Sequence, residues 1–232
     1  MGGIHSKLLP FAPPPPEFDD FVEGENRQAL RAVRALINNQ SSTQSVYLWG
    51  GGGCGKTYLL RVAVTAARRN GGRAFFCAGD VDIPPPMPGF LATDDIHLLN
   101  ATSALSLFDW FNVLRQDSGY YILASGDAPV NQITSIGSEL AARLAAGLVF
   151  HLRELSDDEK GRALARYAER RGFVLPQGVS ALFLTRLPRD MTSLITALVD
   201  LDHFLLNKQK PLTLSLAHQW LKHWHSDGAL SD

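Results

Sequence analysis

Cysteine is scarce in this sequence, and neither sign of charge is in excess. The two cysteines, Cys54 and Cys77, are too few to form a metal cluster by themselves and indicate a reducing compartment. The 22 Lys and Arg residues against 23 Asp and Glu give a net charge of −1, without the basic excess of a protein that mainly grips phosphate backbones. No apolar run approaches the roughly 18 residues of a membrane span, and the N-terminus lacks a signal-peptide pattern. These absences predict a cytoplasmic protein with no membrane contact.

What is present is an ordinary globular composition, 45% hydrophobic and 19% charged over 232 residues, enough for one or two domains. From about residue 25 to residue 154, predicted strands alternate with predicted helices, as in a parallel sheet covered on both faces. Helices are predicted over Lys56–Arg69 and near residues 103–117. The predicted strands are Val46–Trp49, Arg73–Ala78, Phe90–Thr93, Tyr120–Ala124 and Gly147–Leu152.

Beyond residue 154 the pattern becomes helical. Ser156–Glu159 has the sequence of a capping box, and further helices are predicted near residues 177–186, over Met191–Leu205 and up to Trp224. We therefore divide the chain into an N-terminal peptide with a proline spacer (1–16), an α/β nucleotide-binding domain (17–154), a small all-helical lid (155–226) and a tail (227–232). The alternative for the first segment is a tail without a function of its own.

A glycine-rich loop carries the strongest functional signal. Gly50–Thr57 fits G-x-x-x-x-G-K-[ST] between a predicted strand and a predicted helix, the context that a phosphate-binding P-loop requires. Its backbone amides turn toward one anion, Lys56 reaches the β- and γ-phosphates, and Thr57 offers its hydroxyl to Mg²⁺. A flexible glycine turn is the alternative. The candidate nucleotide ligands here are Gly50, Gly53, Gly55, Lys56 and Thr57.

Two carboxylates end the next apolar strand. Asp94 and Asp95 follow Phe90–Thr93, and two adjacent carboxylates repel unless a cation neutralises them. We expect Asp94 to hold Mg²⁺ and Asp95 to orient the attacking water; a surface pair in a turn is the alternative. Ser125 or Asp127, at the end of Tyr120–Ala124, is placed to sense the γ-phosphate, because ligands bind at the carboxyl ends of parallel strands.

Together these motifs resemble the AAA+ module of DnaA over roughly residues 17–224. The glycine loop, the acid pair, the strand ending in Ser125-Gly126-Asp127, a helix carrying Arg143 and the helical lid carry the resemblance. It implies an AAA+ P-loop NTPase parallel-sheet domain with a lid. Phe18–Gly24 is similar to the DnaA segment ahead of the nucleotide site, which implies that Phe21 and Val22 lie against the adenine.

The ends of the sequence resemble a narrower group. Only eight residues follow Trp224, too few for the helix-turn-helix domain of DnaA, so we expect a stand-alone unit similar to the Hda regulators. In that group an N-terminal peptide docks onto the sliding clamp (beta) of the replicative polymerase. The resemblance gives this role to Leu9, Pro10 and Phe11, although Ser6–Phe11 lacks the glutamine of the family peptide.

The resemblance also assigns roles to arginines. Arg143 matches the arginine finger that points into a neighbouring subunit's nucleotide; a solvated helix arginine is the alternative. Arg189 precedes the Met191–Leu205 helix, where a cation opposes the helix dipole, so we expect it to meet a phosphate, with a salt bridge to Asp190 as the alternative. Arg153, at the border of the two parts, is a candidate partner contact.

These matches imply a regulator that binds ADP or ATP with Mg²⁺ and, with the DNA-loaded clamp, stimulates ATP hydrolysis by DnaA to prevent re-initiation of replication. Its own hydrolysis is expected to be slow, its DNA contact indirect, and its assembly a homodimer or a head-to-tail AAA+ array. Two other functions share the nucleotide motifs. One is a helicase-loading ATPase of the DnaC or IstB kind, and the other is a nucleotide-gated scaffold without a catalytic effect.

Overall fold

A computed structural model describes residues 17–79, 81–114, 116–208 and 210–228, with side chains up to residue 224. Within these residues there are five strands and eight helices. The strands are β1 (Ser45–Trp49), β2 (Ala74–Ala78), β3 (Gly89–Asp94), β4 (Tyr120–Gly126) and β5 (Leu148–His151). The helices are α1 (Arg27–Ile37), α2 (Lys56–Arg69), α3 (Ala101–Leu114), α4 (Gly137–Ala145), α5 (Asp157–Arg170), α6 (Gln177–Arg186), α7 (Met191–Lys208) and α8 (Leu214–Gly228).

The five strands form one parallel sheet in the order β2-β3-β4-β1-β5. One apolar cluster fills the space between the sheet and helices α1 and α2, and a second lies between the sheet and helices α3 and α4. Burial on both faces explains why the strands read as continuous apolar runs rather than as alternating patterns. The predicted α/β class is confirmed.

A third apolar cluster forms the lid, and it includes Leu164, Phe183, Leu198 and Trp220 from its four helices. The predicted capping box of α5 is present: the Ser156 hydroxyl accepts from the Glu159 amide, and Glu159 accepts from the Ser156 amide. These bonds satisfy amides that the first turn leaves unpaired. Helix α8 extends to Gly228, beyond the predicted end of the lid at residue 226.

The third helix was predicted two to three residues too far toward the C-terminus. The helix runs over Ala101–Leu114 instead of 103–117. Asn100 caps its start, since the Asn100 side-chain oxygen accepts from the Ser103 amide at 2.8 Å. At its other end, the amides of Gln116 and Asp117 both donate to the Val113 carbonyl, which turns the chain toward β4.

Candidate functional site

The glycine loop, Gly50–Thr57, connects β1 to α2 at the carboxyl edge of the sheet. Gly55 precedes the first helical residue with a left-handed φ of 98°, and Gly53 has a φ of 75°, conformations that favour glycine. A Cβ on Gly53 would lie 2.9 Å from the Cβ of Asp190, at the start of α7. The loop is therefore packed against the lid as well as against the sheet.

Lys56 is the first residue of α2 and is only 8% exposed. Its ammonium donates to the carbonyl oxygens of Gly50 and Gly51, at 2.7 and 2.9 Å. Burying a cation is costly unless hydrogen bonds hold it, and these two bonds keep the charge inside the loop. Phosphate oxygens are stronger acceptors than neutral carbonyls, so the ammonium is placed to exchange these partners for an anion. Thr57, the next residue, is exposed at the helix N-terminus.

The acid pair lies at the same edge of the sheet. Asp94 is the last residue of β3, is 1% exposed and accepts a hydrogen bond from the Ser125 hydroxyl of β4. Asp95 has a φ of 52° and donates its amide to the same hydroxyl at 3.4 Å. Burial, and then the charge of Asp94, raise the pKa of Asp95 above its ordinary value. Ser125 therefore joins the two acids to β4.

Asp127 lies one residue beyond β4 and is 59% exposed. The preceding residue, Gly126, accepts from the amide of Gly50 at 3.3 Å, so Asp127 stands next to the start of the glycine loop. The sequence predicted that either Ser125 or Asp127 senses the γ-phosphate. The structure places both at this edge, with Ser125 bonded to the acids and Asp127 near His97.

Phe21 and Val22 precede α1 and are both 9% exposed. A Cβ on Gly55 would lie 3.1 Å from the Phe21 ring, and that ring stacks on Tyr58 with centroids 6.2 Å apart. Phe21 thus lies against the glycine loop and α2, while Val22 beside it is equally buried.

The segment Glu17–Asp20 precedes Phe21 and contacts both parts of the molecule. We call it the acidic turn. From the body, the Tyr58 hydroxyl donates to the Glu17 carbonyl at 3.2 Å and to Asp20 at 3.1 Å. From lid helix α5, Arg166 donates to the Asp19 carbonyl at 3.1 Å, and Arg170 forms a close ion pair with Asp20. Sequence reasoning missed this network, because its partners are between 38 and 150 positions apart.

Arg189 lies beside the glycine loop on the lid side, next to Asp190, and is 65% exposed. It pairs with Asp157 in the first turn of α5, at 3.4 Å, and not with Asp190 as the alternative reading expected. Asp190 instead accepts from the Ser193 amide at 2.8 Å, and these bonds lower the pKa of Asp190. The exposed guanidinium of Arg189 is therefore paired with the start of α5, while its neighbour Asp190 is the residue that faces Gly53.

Arg143 lies apart from all these residues. It shares a cavity of about 550 Å³ with Ser45, the first residue of β1, whereas the glycine loop follows the last residue of that strand. Five residues of strand separate the two ends by about 15 Å. The Arg143 guanidinium lies 5.7 Å from the centroid of the Phe108 ring and 3.9 Å from Glu139. Arg143 therefore cannot serve the nucleotide site of its own chain.

The remaining candidates lie elsewhere. The backbone of Arg153 exchanges two hydrogen bonds with the Asn26 side chain, at 2.7 and 2.9 Å, and its side chain is exposed. Leu9, Pro10 and Phe11 fall outside the described residues. Among the described helices, none is both long and apolar enough to span a membrane. In the same part of the chain, no cluster of three or more His, Cys, Asp or Glu side chains could hold a metal ion without other ligands.

Solved structures with the same fold define the class. Domain III of the replication initiation protein DnaA from Thermotoga maritima has a TM-score of 0.75 at 21% identity, covering 93% of this chain and 98% of that one. AMPPCP-bound DnaA from Aquifex aeolicus has a TM-score of 0.68 at 19% identity, covering 94% and 72%. A DNA replication initiation factor has a TM-score of 0.65 at 20% identity, covering 81% of this chain and 64% of that one. The protein has the AAA+ fold with a helical lid.

Two family models match separate parts of the chain. The bacterial DnaA ATPase domain matches residues 15–74, which include the acidic turn and the glycine loop. The lid domain of Hda matches residues 157–221, from the first turn of α5 into α8. The chain is thus similar to DnaA around the glycine loop and to Hda in the lid, which supports a DnaA-related replication protein.

Proposed function

We propose that this protein binds an adenine nucleotide with Mg²⁺ at the glycine loop and delivers Arg143 to the ATP held by DnaA. The observation that carries the proposal is the position of Arg143 at the edge of the sheet opposite its own glycine loop. A cation there is too far from its own nucleotide to act on it, and by leaving Phe108 and Glu139 it would enter the site of a neighbour. Solved DnaA structures that contain AMPPCP support the choice of an adenine nucleotide.

The nucleotide site combines groups with defined tasks. The ammonium of Lys56 exchanges its hydrogen bonds to the loop carbonyls for hydrogen bonds to the phosphates. Arg189 approaches the same phosphates from the lid. Phe21 and Val22 provide an apolar wall for the base. Nucleotide binding therefore fixes the lid relative to the sheet, because the loop and the start of α7 already touch at Gly53.

The donor set fits a magnesium ion that is shared with phosphates. Mg²⁺ is usually held by one or two protein oxygens together with phosphate oxygens and water. Asp94, buried at the strand end, and Thr57, exposed at the helix N-terminus, would be its protein ligands. When bound, the ion offsets phosphate charge. Asp95 orients the attacking water or accepts a proton from it. Its pKa is raised because the carboxylate is partly buried and lies close to that of Asp94.

The effect on DnaA operates in trans. A guanidinium that enters a neighbour's nucleotide site stabilises the charge of the transition state, and such fingers raise hydrolysis rates by about 10³ to 10⁵. Docking of Leu9, Pro10 and Phe11 onto the DNA-loaded sliding clamp restricts this effect to replicating DNA, which prevents re-initiation. Contact with DNA is then indirect. The exposed side chain of Arg153 is a partner contact, in a head-to-tail assembly with DnaA or a homodimer.

The decisive experiment measures ATP hydrolysis by purified DnaA with DNA-loaded clamp, with and without this protein. We expect stimulation by the wild type and none by Arg143→Ala, while the affinity of the variant for ADP is unchanged. Arg31→Ala, which removes an exposed arginine of α1, is the matched control and should stimulate fully. Omission of the clamp should also remove the stimulation.

Two results would contradict the proposal. Full stimulation by Arg143→Ala would show that Arg143 is not the finger. Absence of stimulation together with rapid ATP turnover by this protein alone would favour the helicase-loading class of ATPase.

A further inference from the structure

Strand β2 forms one end of the sheet and, in the described part of the chain, pairs only with β3. The Phe90 amide of β3 donates to the Arg73 carbonyl at 2.9 Å, so the backbone groups of every second residue after Arg73 also face β3. The groups of the residues between them, Ala74, Phe76 and Ala78, point away from the sheet. We call these outward groups the free edge of β2, and such a row of amides and carbonyls is a template for a further strand.

Two arginines of α2 lie over the free edge. The Arg61 guanidinium lies 4.7 Å from the centroid of the Phe76 ring, and Arg68 donates from two nitrogen atoms to the Ala74 carbonyl, at 3.0 and 2.7 Å. Both arginine side chains are exposed, and neither forms an ion pair within the residues that the structure describes. The outward groups of Phe76 and Ala78 have no hydrogen-bond partner among these residues.

The charge around the free edge is of one sign. Residues 26–79, which include α1, α2 and β2, contain seven arginines and one lysine but no Asp or Glu, in a chain whose net charge is −1. Asp80 lies outside the described residues. Asp82, in the loop that follows, contacts the opposite face of β2, because its carbonyl accepts from the Cys77 thiol at 3.9 Å and Cys77 packs in the cluster beneath α3. The α2 side of the edge therefore attracts an anion.

We propose that the free edge of β2 binds an extended acidic segment of a partner protein, which adds to the sheet as a further strand. The amides and carbonyls of Phe76 and Ala78 supply the main-chain hydrogen bonds of this β-augmentation. Arg61 and Arg68 pair with carboxylates of the segment, which are stronger acceptors than the Ala74 carbonyl that Arg68 now holds. The phosphates of a nucleic acid would also attract the arginines, but they offer no peptide groups to the edge. The inference does not depend on the nucleotide site proposed above.

The two faces of β2 define which sequences should bind. Ala74 and Phe76 pack in the apolar cluster beneath α2, whereas Phe75 packs against the cluster beneath α3. Successive side chains of an added strand alternate between these faces. Those on the first face lie beside Arg61 and Arg68, and those on the second face lie beside Phe75, which is partly buried. We therefore expect acidic residues at alternate positions of the segment, with apolar residues between them.

The test titrates the full chain into a fluorescent peptide of about four Glu-Val repeats, the length of an ordinary strand, and measures binding by anisotropy. We expect saturable binding, and about tenfold weaker binding of the matching Gln-Val peptide, because it loses the ion pairs with both arginines. Arg61→Gln and Arg68→Gln should each weaken binding of the Glu-Val peptide about threefold to fivefold. Arg31→Gln is the matched control: it removes an exposed arginine of α1 from the same acid-free segment and should bind as the wild type does.

Methylated peptides separate strand addition from attraction by charge alone. A methyl group on the amide of a central Glu, or of a central Val, removes one hydrogen-bond donor. In an added strand, only one of these two amides points toward β2. One methylated peptide should therefore bind about tenfold more weakly, while the other binds like the parent peptide.

Several results would overturn the inference, and none of them bears on the nucleotide site. One is the absence of saturable binding of the Glu-Val peptide to the wild type at concentrations up to about 1 mM. Equal affinities of the two methylated peptides, or equal losses in Arg31→Gln and Arg61→Gln, would show that only charge acts. Binding of a DNA duplex that Arg61→Gln and Arg68→Gln abolish, without binding of the peptide, would assign this surface to nucleic acid instead.

Discussion

At the carboxyl edge of the sheet, Lys56, Asp94 and Asp95 are crowded together and largely buried, whereas at the amino edge the guanidinium of Arg143 lies over the Phe108 ring beside an open cavity. The first edge has the donors and acceptors of a complete binding site. The second has a cation with only a weak ion pair, to Glu139. In the function proposed above, one sheet therefore separates the edge that binds a nucleotide from the arginine that reaches the nucleotide of another molecule. The two activities should be separable by mutation.

The largest effect is expected from Lys56→Ala. Hydrogen bonds to charged groups contribute about 1.5–3 kcal/mol, and each 1.4 kcal/mol is a tenfold change in affinity, so ADP should bind about 100-fold more weakly. Arg143→Ala is the paired control, because it changes only the opposite edge. Equal losses of ADP affinity in the two variants, measured by calorimetry, would show that the edges are not independent.

An intermediate effect is expected from Gly53→Ala. A Cβ at this position would lie 2.9 Å from the Cβ of Asp190. The backbone φ of 75° is also unfavourable for any residue with a side chain. Strain of about 1–2 kcal/mol should weaken ADP binding about tenfold and lower the melting temperature by about 3 °C.

Gly52→Ala is the matched control for this substitution. A Cβ on Gly52 has no neighbour within 4 Å, so both properties should stay close to those of the wild type. If the two alanine variants behaved alike, contact between the loop and the lid would not contribute to nucleotide binding.

The smallest effect is expected from Asp95→Asn, measured as thermal stability against pH. Burial and Asp94 raise the pKa of Asp95 in the folded protein. The stability that this group contributes is therefore present below the ordinary Asp value of about 4 and is lost as the pH rises through the raised value. Asparagine also tolerates the left-handed φ of Asp95.

The variant should therefore melt about 2 °C higher than the wild type at pH near 7, with the difference vanishing near pH 4. Asp109→Asn, on the exposed face of α3, is the control and should show no such pattern. Unchanged melting at neutral pH would mean that the two acids do not oppose each other in the folded protein.

Local patterns in the sequence were sufficient for much of the fold. The helix predicted over Lys56–Arg69 has the observed bounds, because a glycine turn starts it and apolar residues recur along one face. The Ser156 cap was also predictable, since both of its bonds join residues three apart. The start of α3 was predicted two residues too late because its cap, Asn100, was not recognised.

Contacts between distant segments could not be predicted in the same way. The hydroxyl of Ser125 bridges Asp94 and Asp95, which lie about 30 positions earlier, and only the pairing of β3 with β4 brings them together. The contact between His97 and Asp127 was missed for the same reason, because only the pairing of β3 with β4 brings these two residues to within 3.5 Å. The sequence indicated which strand ends carry polar side chains, but not which of these would touch.

The acidic turn has a mechanical consequence. It is held from one side by Tyr58 of the body and from the other by Arg166 and Arg170 of the lid. Asp19 of the turn also pairs with Arg34 of α1 at 3.4 Å, so tension applied to the chain upstream of Glu17 is divided between the lid and the body. An N-terminal peptide anchored to a large partner would therefore load the contacts between the body and the lid, which couples anchoring to the position of the lid.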